Sequence, residues 1–404
     1  MIDSDVIDSR RKRASLLKGA AAVVLAVAVA GAGIGRLPAQ DAAESRPASR
    51  PDSSPVVRDV STELAAIVSK RKVPGLVALR LDGRDVSARG VAGVRRRGSS
   101  DPLLMDDRFH LGSCTKAMTA AVCAELVESG VLRFESTLGD VCGDAAGPAG
   151  GAWRKIPLDA LLSNVGGVPG DLSPRGVWEK LWKFRGSAFD ARRLLLSELV
   201  AGRSPQPCRQ AYEYSNAGFS LAGHMAETAT GQPFEALLDQ RLFRPLGMTT
   251  AGFGAPGGKG EPAAPCGHRA DGSVVLPGPD ADNPVAITPA GRVHASIDDW
   301  AKFIADQLAG ARGEKARLKP ETYRRLHTQS GVGKESYAMG FVRTERPWGG
   351  GPVLTHSGSN TYWHCTFWIA PGKNFAVLAA CNQGGPGGAS ATDDACALLL
   401  QHTR

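Results

Sequence analysis

The sequence predicts an α/β (α+β) fold in which an antiparallel sheet, flanked by helices, is built from both ends of the chain and a mostly helical lobe is inserted between them. Near the start, two strand-like runs, 76–79 and 86–91, flank Asp82 and Gly83, which form a hairpin signal. Strand-like runs return near the C-terminus. The middle, roughly 135–289, combines short helical patterns with loops rich in Gly and Pro. We therefore expect two lobes with a ligand cleft between them.

The first 39 residues have the pattern of an export signal or an N-terminal membrane anchor. Basic residues 10–13 precede an uncharged run, 19–35, dominated by Ala and Val. Small residues allow cleavage after Ala32 or Ala39, whereas the apolar run is at the short limit for a membrane span. Both interpretations place the remainder outside the cytoplasm, either periplasmic or anchored to a bacterial membrane.

A linker and one domain follow this segment. Residues 40–58 are rich in Ala, Ser, Pro, Arg and Asp without an apolar period, so we expect them to be disordered. We assign 59–404 to a single domain. Its first long helix is predicted over 113–129, because Met118, Val122 and Leu126 lie four residues apart. The other predicted elements are helices over 218–230, 233–243 and 389–403, and strands over 338–344, 353–356, 362–370 and 374–381.

Composition excludes several function classes. The chain is 43% hydrophobic and 22% charged, which is typical of a globular protein. Its net charge is +8, but the basic residues do not gather into one stripe, so we expect no nucleic-acid partner. The 8 cysteines form no C-x-x-C pair and the histidines no H-x-H or H-E-x-x-H. We therefore expect no metal, no cofactor, and cysteines that mostly act as small buried hydrophobes.

Ser113 and Lys116 form an S-x-x-K at the start of the first long helix. The pattern also begins at Ser9, Ser15 and Ser69, so the spacing alone says little. Ser113 differs because the positive end of a helix lies beside it. Lys116 shares its helical face, and a desolvated lysine amine can accept the proton of a serine hydroxyl. The alternative for Ser113 is an ordinary helix N-cap.

Tyr214 and Asn216 form a Y-x-N. In an extended segment, residues i and i+2 point to the same side, so a phenol and an amide would face one cleft. The alternative is a buried tyrosine that bonds only to its own loop.

His356, Ser357 and Gly358 form an H-x-G after a strand-like run. Glycine permits close backbone approach of a peptide-like ligand along a strand. His110 and Gly112 repeat the pattern, so this motif carries weight only together with the other two.

Taken in order, with about 100 and then about 140 residues between them, the three motifs resemble those of serine hydrolases of the β-lactamase and penicillin-binding protein superfamily. The chain is most similar to the class C β-lactamase-related branch, which includes D-alanyl-D-alanine carboxypeptidases, D-aminopeptidases and esterases. Segment 109–120 resembles the helix that carries the nucleophile in this family, and segment 161–169 resembles the family's L-L-x-H-x-S-G-x-P segment. Segments 245–248 and 337–340 match short sequences that recur in the family. The resemblance runs from about residue 64 to the C-terminus and implies a β-lactamase/transpeptidase-like fold.

The resemblance implies catalytic roles for three side chains. Ser113 would attack a carbonyl, while Lys116 and Tyr214 would share the removal of its proton, either of them being the base. A tyrosine base needs its pKa lowered by a neighbouring cation, and Lys116 is the available one. The oxyanion hole would consist of the backbone N–H groups of Ser113 and Ser359.

Substrate contacts are implied for four further residues. Asn216 would hold the amide of the acyl chain. His356 and Ser357 would contact the leaving group or a substrate carboxylate, with Gly358 allowing close approach. Because an ordinary histidine pKa is near 6.5, we expect carboxylate binding to strengthen toward pH 6 and β-lactams to be poor substrates near neutrality.

Two departures from the family pattern affect the substrate cleft. The third motif is an H-x-G rather than the K-T-G of class C β-lactamases. Asn164 and Gly166 replace the usual His and Ser of the L-L-x-H-x-S-G-x-P segment.

The sequence therefore predicts an extracytoplasmic serine hydrolase, acting on an ester or amide such as a D-amino-acid peptide or small ester. The alternatives are a β-lactamase proper, and a catalytically idle penicillin- or peptidoglycan-binding or sensing domain. As partners we expect a small-molecule or peptide substrate. We expect a monomer, attached to a membrane through the N-terminal segment if that segment is an anchor and not a cleaved signal.

Overall fold

The computed structural model describes residues 57–257, 264–332 and 337–401. The predicted export signal or anchor, and nearly all of the linker, lie outside the described residues. The strands are β1 (Arg58–Asp59), β2 (Gly75–Asp82), β3 (Asp85–Gly93), β4 (Arg108–His110), β5 (Gly252–Phe253), β6 (Gly267–His268), β7 (Val274–Val275), β8 (Val293–Ser296), β9 (Val342–Arg346), β10 (Gly351–Ser359), β11 (His364–Ala370) and β12 (Phe375–Cys381). The helices are α1 (Ser61–Arg71), α2 (Thr115–Glu128), α3 (Leu138–Cys142), α4 (Leu158–Leu162), α5 (Val177–Lys183), α6 (Ala188–Val200), α7 (Asn216–Thr230), α8 (Phe234–Leu238), α9 (Arg244–Leu246), α10 (Thr288–Gly291), α11 (Ile297–Ala311), α12 (Pro320–Leu326) and α13 (Gly385–Leu400). Among these helices, none combines the length and apolar character that a bilayer crossing needs.

The largest sheet has seven strands in the order β1-β3-β2-β12-β11-β10-β9. Its neighbours are antiparallel, except that β1 runs parallel to β3. Strand β2, from the beginning of the domain, pairs with β12 near its end, with Leu79 opposite Leu378. Both ends of the chain therefore build one sheet, as the sequence predicts, and α3 to α10 lie in the chain between its two halves.

Helices cover both faces of this sheet. Helices α1 and α13 pack on one face, and α11 packs against β2 and β12 on the other. Because both faces are covered, β2 and β12 are apolar and buried at almost every position.

Helix α2 is buried almost along its whole length. Small residues at Ala117, Ala120, Ala121 and Ala124 let neighbouring helices approach closely, and α7, α10 and α12 all contact it. A helix that is apolar on all sides belongs in a protein interior. Its first turn is thereby fixed between the sheet and the helical lobe.

Several boundaries differ from the prediction. Strand β10 extends to Ser359, so the third motif lies within the part of the strand, from Leu354 to Ser359, that pairs with β11. Strand β9 begins only at Val342, because Tyr337 forms a bridge with Val342 and the residues between them make a turn. The helix predicted over 233–243 divides into α8 and a wider turn, Asp239–Phe243, before α9.

Candidate active site

Ser113 lies in a 3₁₀ turn, Gly112–Cys114, that leads directly into α2. Gly112 has a φ of +47°, and a Cβ atom there would come within 2.3 Å of the Ser359 nitrogen. Only glycine accommodates both constraints. The N-cap of α2 is Cys114, so Ser113 is not the N-cap residue. Its half-buried hydroxyl is held beside β10.

Lys116 is completely buried and reaches three oxygen atoms. Its Nζ donates to Ser113 Oγ at 3.1 Å, to Asn216 Oδ1 at 2.7 Å and to the Ala290 carbonyl at 2.7 Å. Burial lowers the pKa of Lys116 to about 7, although Cys114 acts weakly in the opposite direction. A large fraction of this amine is therefore unprotonated near neutral pH and can accept a proton from Ser113.

Tyr214 also contacts Ser113, through a side-chain hydrogen bond. Desolvation raises the pKa of its phenol, and a hydrogen bond with Ser113 offsets this only in part. The expectation that Lys116 lowers the pKa of Tyr214 is therefore wrong. Lys116 lies over the ring face, with Nζ 4.7 Å from the ring centroid, and burial weakens its own positive charge. The phenol stays protonated at neutral pH.

Asn216 is the first residue of α7 and connects the second motif to the first through Lys116. It also lines a cavity of about 220 Å³. The other residues around this cavity are Gly170, Asp171, Leu172, Ser173 and Trp178. Asn216 thus lies between the Lys116 amine and a space that can take part of a ligand.

Asn164 fixes the loop that carries the second motif, a role that the sequence analysis did not find. It has a φ of +58°, and its side-chain Oδ1 accepts from the Ser215 N–H at 3.0 Å. Its carbonyl accepts from the Glu213 N–H at 2.9 Å. These bonds hold the residues on either side of Tyr214. The position of Asn164 in the 161–169 segment was the signal, but its partners are set by the tertiary fold.

His356 is buried against Tyr337 rather than open to the cleft. Its Nε2 lies 3.1 Å from the Tyr337 hydroxyl, and its Nδ1 lies 2.6 Å from the Ser357 carbonyl. Burial, and then the charge of Lys116, lower the pKa of His356 to about 4. The expectation that His356 gains a positive charge toward pH 6 is therefore wrong.

Gly358 and Ser359 lie directly against the Gly112–Cys114 turn. A Cβ atom at Gly358 would come within 2.1 Å of the Leu111 carbonyl oxygen and 2.9 Å of the Ser113 nitrogen. Because a Cβ atom at Gly112 would likewise come within 2.3 Å of the Ser359 nitrogen, the backbone N–H groups of Ser113 and Ser359 belong to two segments in contact.

Ser357 points away from this group. Side chains alternate along a strand, and its hydroxyl bonds with Thr366 at 3.0 Å. Thr366 in turn lies 3.5 Å from Thr392 of α13, on the opposite face of the sheet from His356. The substrate contact expected of the Ser357 side chain is therefore not supported.

A buried polar network lies behind the Gly112–Cys114 turn. Asp282 accepts from His110 Nε2 at 2.7 Å and from Arg292 Nε at 2.7 Å. His110 Nδ1 accepts the Gly112 N–H at 3.0 Å. Burial raises the pKa of Asp282, but His110 and Arg292 outweigh burial and hold it below its usual value. The sequence showed His110 only as a chance repeat of H-x-G, and no local pattern connects it to Asp282.

The eight cysteines are free thiols, and six of them are buried. The Sγ atoms of Cys114, in the Gly112–Cys114 turn, and Cys365 lie 3.6 Å apart, and burial raises the pKa of Cys114. Throughout the described ranges, no three His, Cys, Asp or Glu side chains come together as a metal site would require.

Parts of this chain are similar in sequence to known proteins. It is similar to penicillin-binding protein 4 of Amycolatopsis lactamdurans, with 30% identity over 184 residues, or 45% of each chain. It is also similar to the unguisins hydrolase ungD of Aspergillus violaceofuscus, with 27% identity over 281 residues, which cover 63% of this chain and 45% of that protein. The chain thus spans about half the length of these curated relatives.

The fold is also found among solved structures. The octameric penicillin-binding protein homologue from Pyrococcus abyssi matches with a TM-score of 0.69 and 21% identity, covering 84% of this chain and 76% of that one. The family model described as Beta-lactamase matches residues 57–401, which include the seven-stranded sheet and all three motifs. The chain therefore belongs to the beta-lactamase family.

Proposed function

We propose that this protein is an extracytoplasmic serine hydrolase that cleaves an ester or amide through an acyl-enzyme on Ser113. One observation carries the proposal: the Lys116 amine, with a pKa of about 7, lies 3.1 Å from the Ser113 hydroxyl oxygen. A serine hydroxyl needs such a base to become a nucleophile. The names of the relatives, a penicillin-binding protein and a hydrolase, agree with this chemistry.

Acylation begins at the hydroxyl of Ser113. Its proton passes to the unprotonated amine of Lys116 while Oγ forms a bond to the substrate carbonyl carbon. The negative charge on the carbonyl oxygen is stabilised by the N–H groups of Ser113 and Ser359. The bond to the leaving group then breaks. The leaving oxygen or nitrogen takes up a proton from Lys116 or Tyr214, both of which are protonated at this stage.

Deacylation uses the same groups. A water molecule attacks the acyl carbon, its proton passes to Lys116, and the bond to Ser113 Oγ breaks as that oxygen regains a proton. General base assistance of this kind contributes roughly 10²–10⁴-fold to a rate. Tyr214, which stays protonated, serves as a donor and not as the first base.

The acyl part of the substrate occupies the cavity beside Asn216. The polar residues Asp171 and Ser173 line this cavity together with the apolar residues Leu172 and Trp178. Leu172 also borders a second cavity of about 290 Å³, whose lining includes Val177 and Leu199. A substrate whose acyl part carries both polar and apolar groups, either a small ester or a D-amino-acid peptide, fits this arrangement.

Turnover of p-nitrophenyl esters, D-Ala-D-Ala peptides and nitrocefin by the purified protein tests the proposal. We expect Ser113→Ala to abolish turnover and Ser69→Ala to leave it unchanged, since Ser69 is the exposed serine of a second S-x-x-K. Equal turnover by the two variants would show that Ser113 is not the nucleophile.

We also propose that residues 1–39 export the protein, because basic residues precede an uncharged apolar run. A reporter enzyme that is active only outside the cytoplasm, fused after residue 58, would then be active in bacteria. An inactive fusion that is nevertheless produced would contradict export.

A further inference from the structure

We propose that Tyr337 is a positioning residue that holds His356 as a neutral hydrogen-bond acceptor, so that the site favours substrates without a free carboxylate beside the bond that is cleaved. The part about substrates rests on the proposed hydrolase function. The part about His356 stands independently of it.

The contacts of His356 determine which of its ring nitrogens carries the proton. Its Nδ1 lies 2.6 Å from the Ser357 carbonyl oxygen, which can only accept a hydrogen bond, so Nδ1 carries the proton. Its Nε2 lies 3.1 Å from the Tyr337 hydroxyl. In the neutral ring Nε2 is then an acceptor, and Tyr337 donates to it. Both ring nitrogens have protein partners.

Tyr337 is fixed in the position that this bond requires. It is 2% exposed, and its ring centroid lies 5.7 Å from that of Tyr212 and 6.2 Å from that of Tyr214. Desolvation raises its pKa well above the ordinary value, so the phenol keeps its proton as a donor. Near neutral pH, the Tyr337 hydroxyl is therefore the hydrogen-bond donor and His356 the acceptor, and not the reverse.

The groups around His356 oppose a positive charge. Lys116 is the cation that acts on it, while Tyr214 and Tyr337 present uncharged phenols and Cys114 an uncharged thiol. A second cation in this buried space would be repelled by Lys116 and would lose its hydration. A substrate carboxylate consequently finds neither a charge nor a free N–H on His356.

Nuclear magnetic resonance of the protein labelled with [¹⁵N]histidine tests the state of His356 directly. His356→Gln assigns the signal by its loss. We expect a neutral ring with an unprotonated Nε2 and no titration from pH 8.5 to 5.5. Titration with a midpoint near 6.5, or a proton on Nε2, would overturn the inference.

Tyr337→Phe removes the hydroxyl that donates to His356, together with the hydrogen bond between that hydroxyl and Asn164. The Nε2 resonance should move in Tyr337→Phe because its hydrogen bond is lost, and kcat should fall roughly tenfold, as expected for one buried hydrogen bond. Tyr323→Phe is the matched control, since Tyr323 is equally buried but donates to Asp306 at 2.6 Å on α11. It should leave the His356 signal unchanged. An unmoved signal in Tyr337→Phe would remove Tyr337 from the positioning role, whatever the activity.

Hydrolysis of a carboxylate-bearing ester and its methyl ester tests the substrate class. The wild type should prefer the methyl ester by a constant ratio of kcat/KM from pH 5.5 to 8.5. His356→Lys should gain preference for the acid. Preference of the wild type for the acid would overturn the substrate inference. Failure to hydrolyse either ester would instead count against the proposed function, and the resonance experiment would still decide the state of His356.

Discussion

The Nζ atom of Lys116 lies 2.7 Å from Oδ1 of Asn216, so one buried amine joins the first motif, on α2, to the second, on α7. The same nitrogen donates to the Ala290 carbonyl of α10. Three segments distant in sequence thus hold this amine beside Ser113. A lysine so enclosed loses hydration, and its pKa falls into the range where a base works at neutral pH.

The pH dependence of kcat/KM should follow Lys116. With a neutral ester, log kcat/KM should rise with a slope of about one as pH increases toward 7, and then level off, because protonated Lys116 cannot accept the Ser113 proton. With a pKa of about 4 for His356 and a raised pKa for Tyr214, neither of these two groups titrates between pH 5.5 and 8.5. If kcat/KM did not change with pH over that range, Lys116 would be ruled out as the base.

Lys116→Met should lower kcat about 10²–10⁴-fold, because it removes the base but keeps the volume of the stem. Loss of the donor to Asn216 and Ala290 should cost about 1–3 kcal/mol of unfolding free energy, measured in urea. The control is Lys183→Met on exposed α5. If both variants keep wild-type kcat, the amine has no part in the reaction.

The sequence predicted the sheet, α2 and the three motifs because these depend on local periodicity and on residue types at fixed spacing. It selected Ser113 among four S-x-x-K serines by context alone. Partners distant in the chain could not be predicted: Asn164 with Ser215, Tyr337 with His356, and Asp282 with His110 meet only in the fold. The ordinary pKa of histidine also led to a wrong prediction for the charge of His356, because the burial of this residue follows from tertiary packing.

Gly358→Ala should disable the site by steric conflict. Its Cβ atom would lie 2.1 Å from the Leu111 carbonyl oxygen, and backbone on both sides must shift. We expect a loss of about 1–3 kcal/mol of unfolding free energy and a fall in kcat of roughly 10²-fold, as when an oxyanion donor is misplaced. Gly278→Ala is the control, because its Cβ would meet nothing within 4 Å and its φ of 164° is extended. Similar effects of both changes would contradict the close contact.

Asp282→Asn should destabilise the protein by about 3–5 kcal/mol, because it removes the charge from a buried carboxylate that His110 and Arg292 both contact. The pKa of Asp282 is lowered on folding, so its contribution is present above the ordinary carboxyl pKa and is lost as pH falls through the lowered value. The difference in unfolding free energy from the wild type should therefore shrink in acid. Asp280→Asn, at an exposed position two residues away, is the control. Equal unfolding free energies for the two variants would show that the network does not support the Gly112–Cys114 turn.

The identity of the acylated residue tests the central claim most directly. The protein is exposed to a fluorophosphonate, and in a parallel sample to a slow ester substrate, then digested and analysed by mass spectrometry. We expect one covalent adduct on Ser113, which is lost over time with the ester and absent in Ser113→Ala. A folded wild-type protein without an adduct, or an adduct on another serine together with full turnover by Ser113→Ala, would contradict the account.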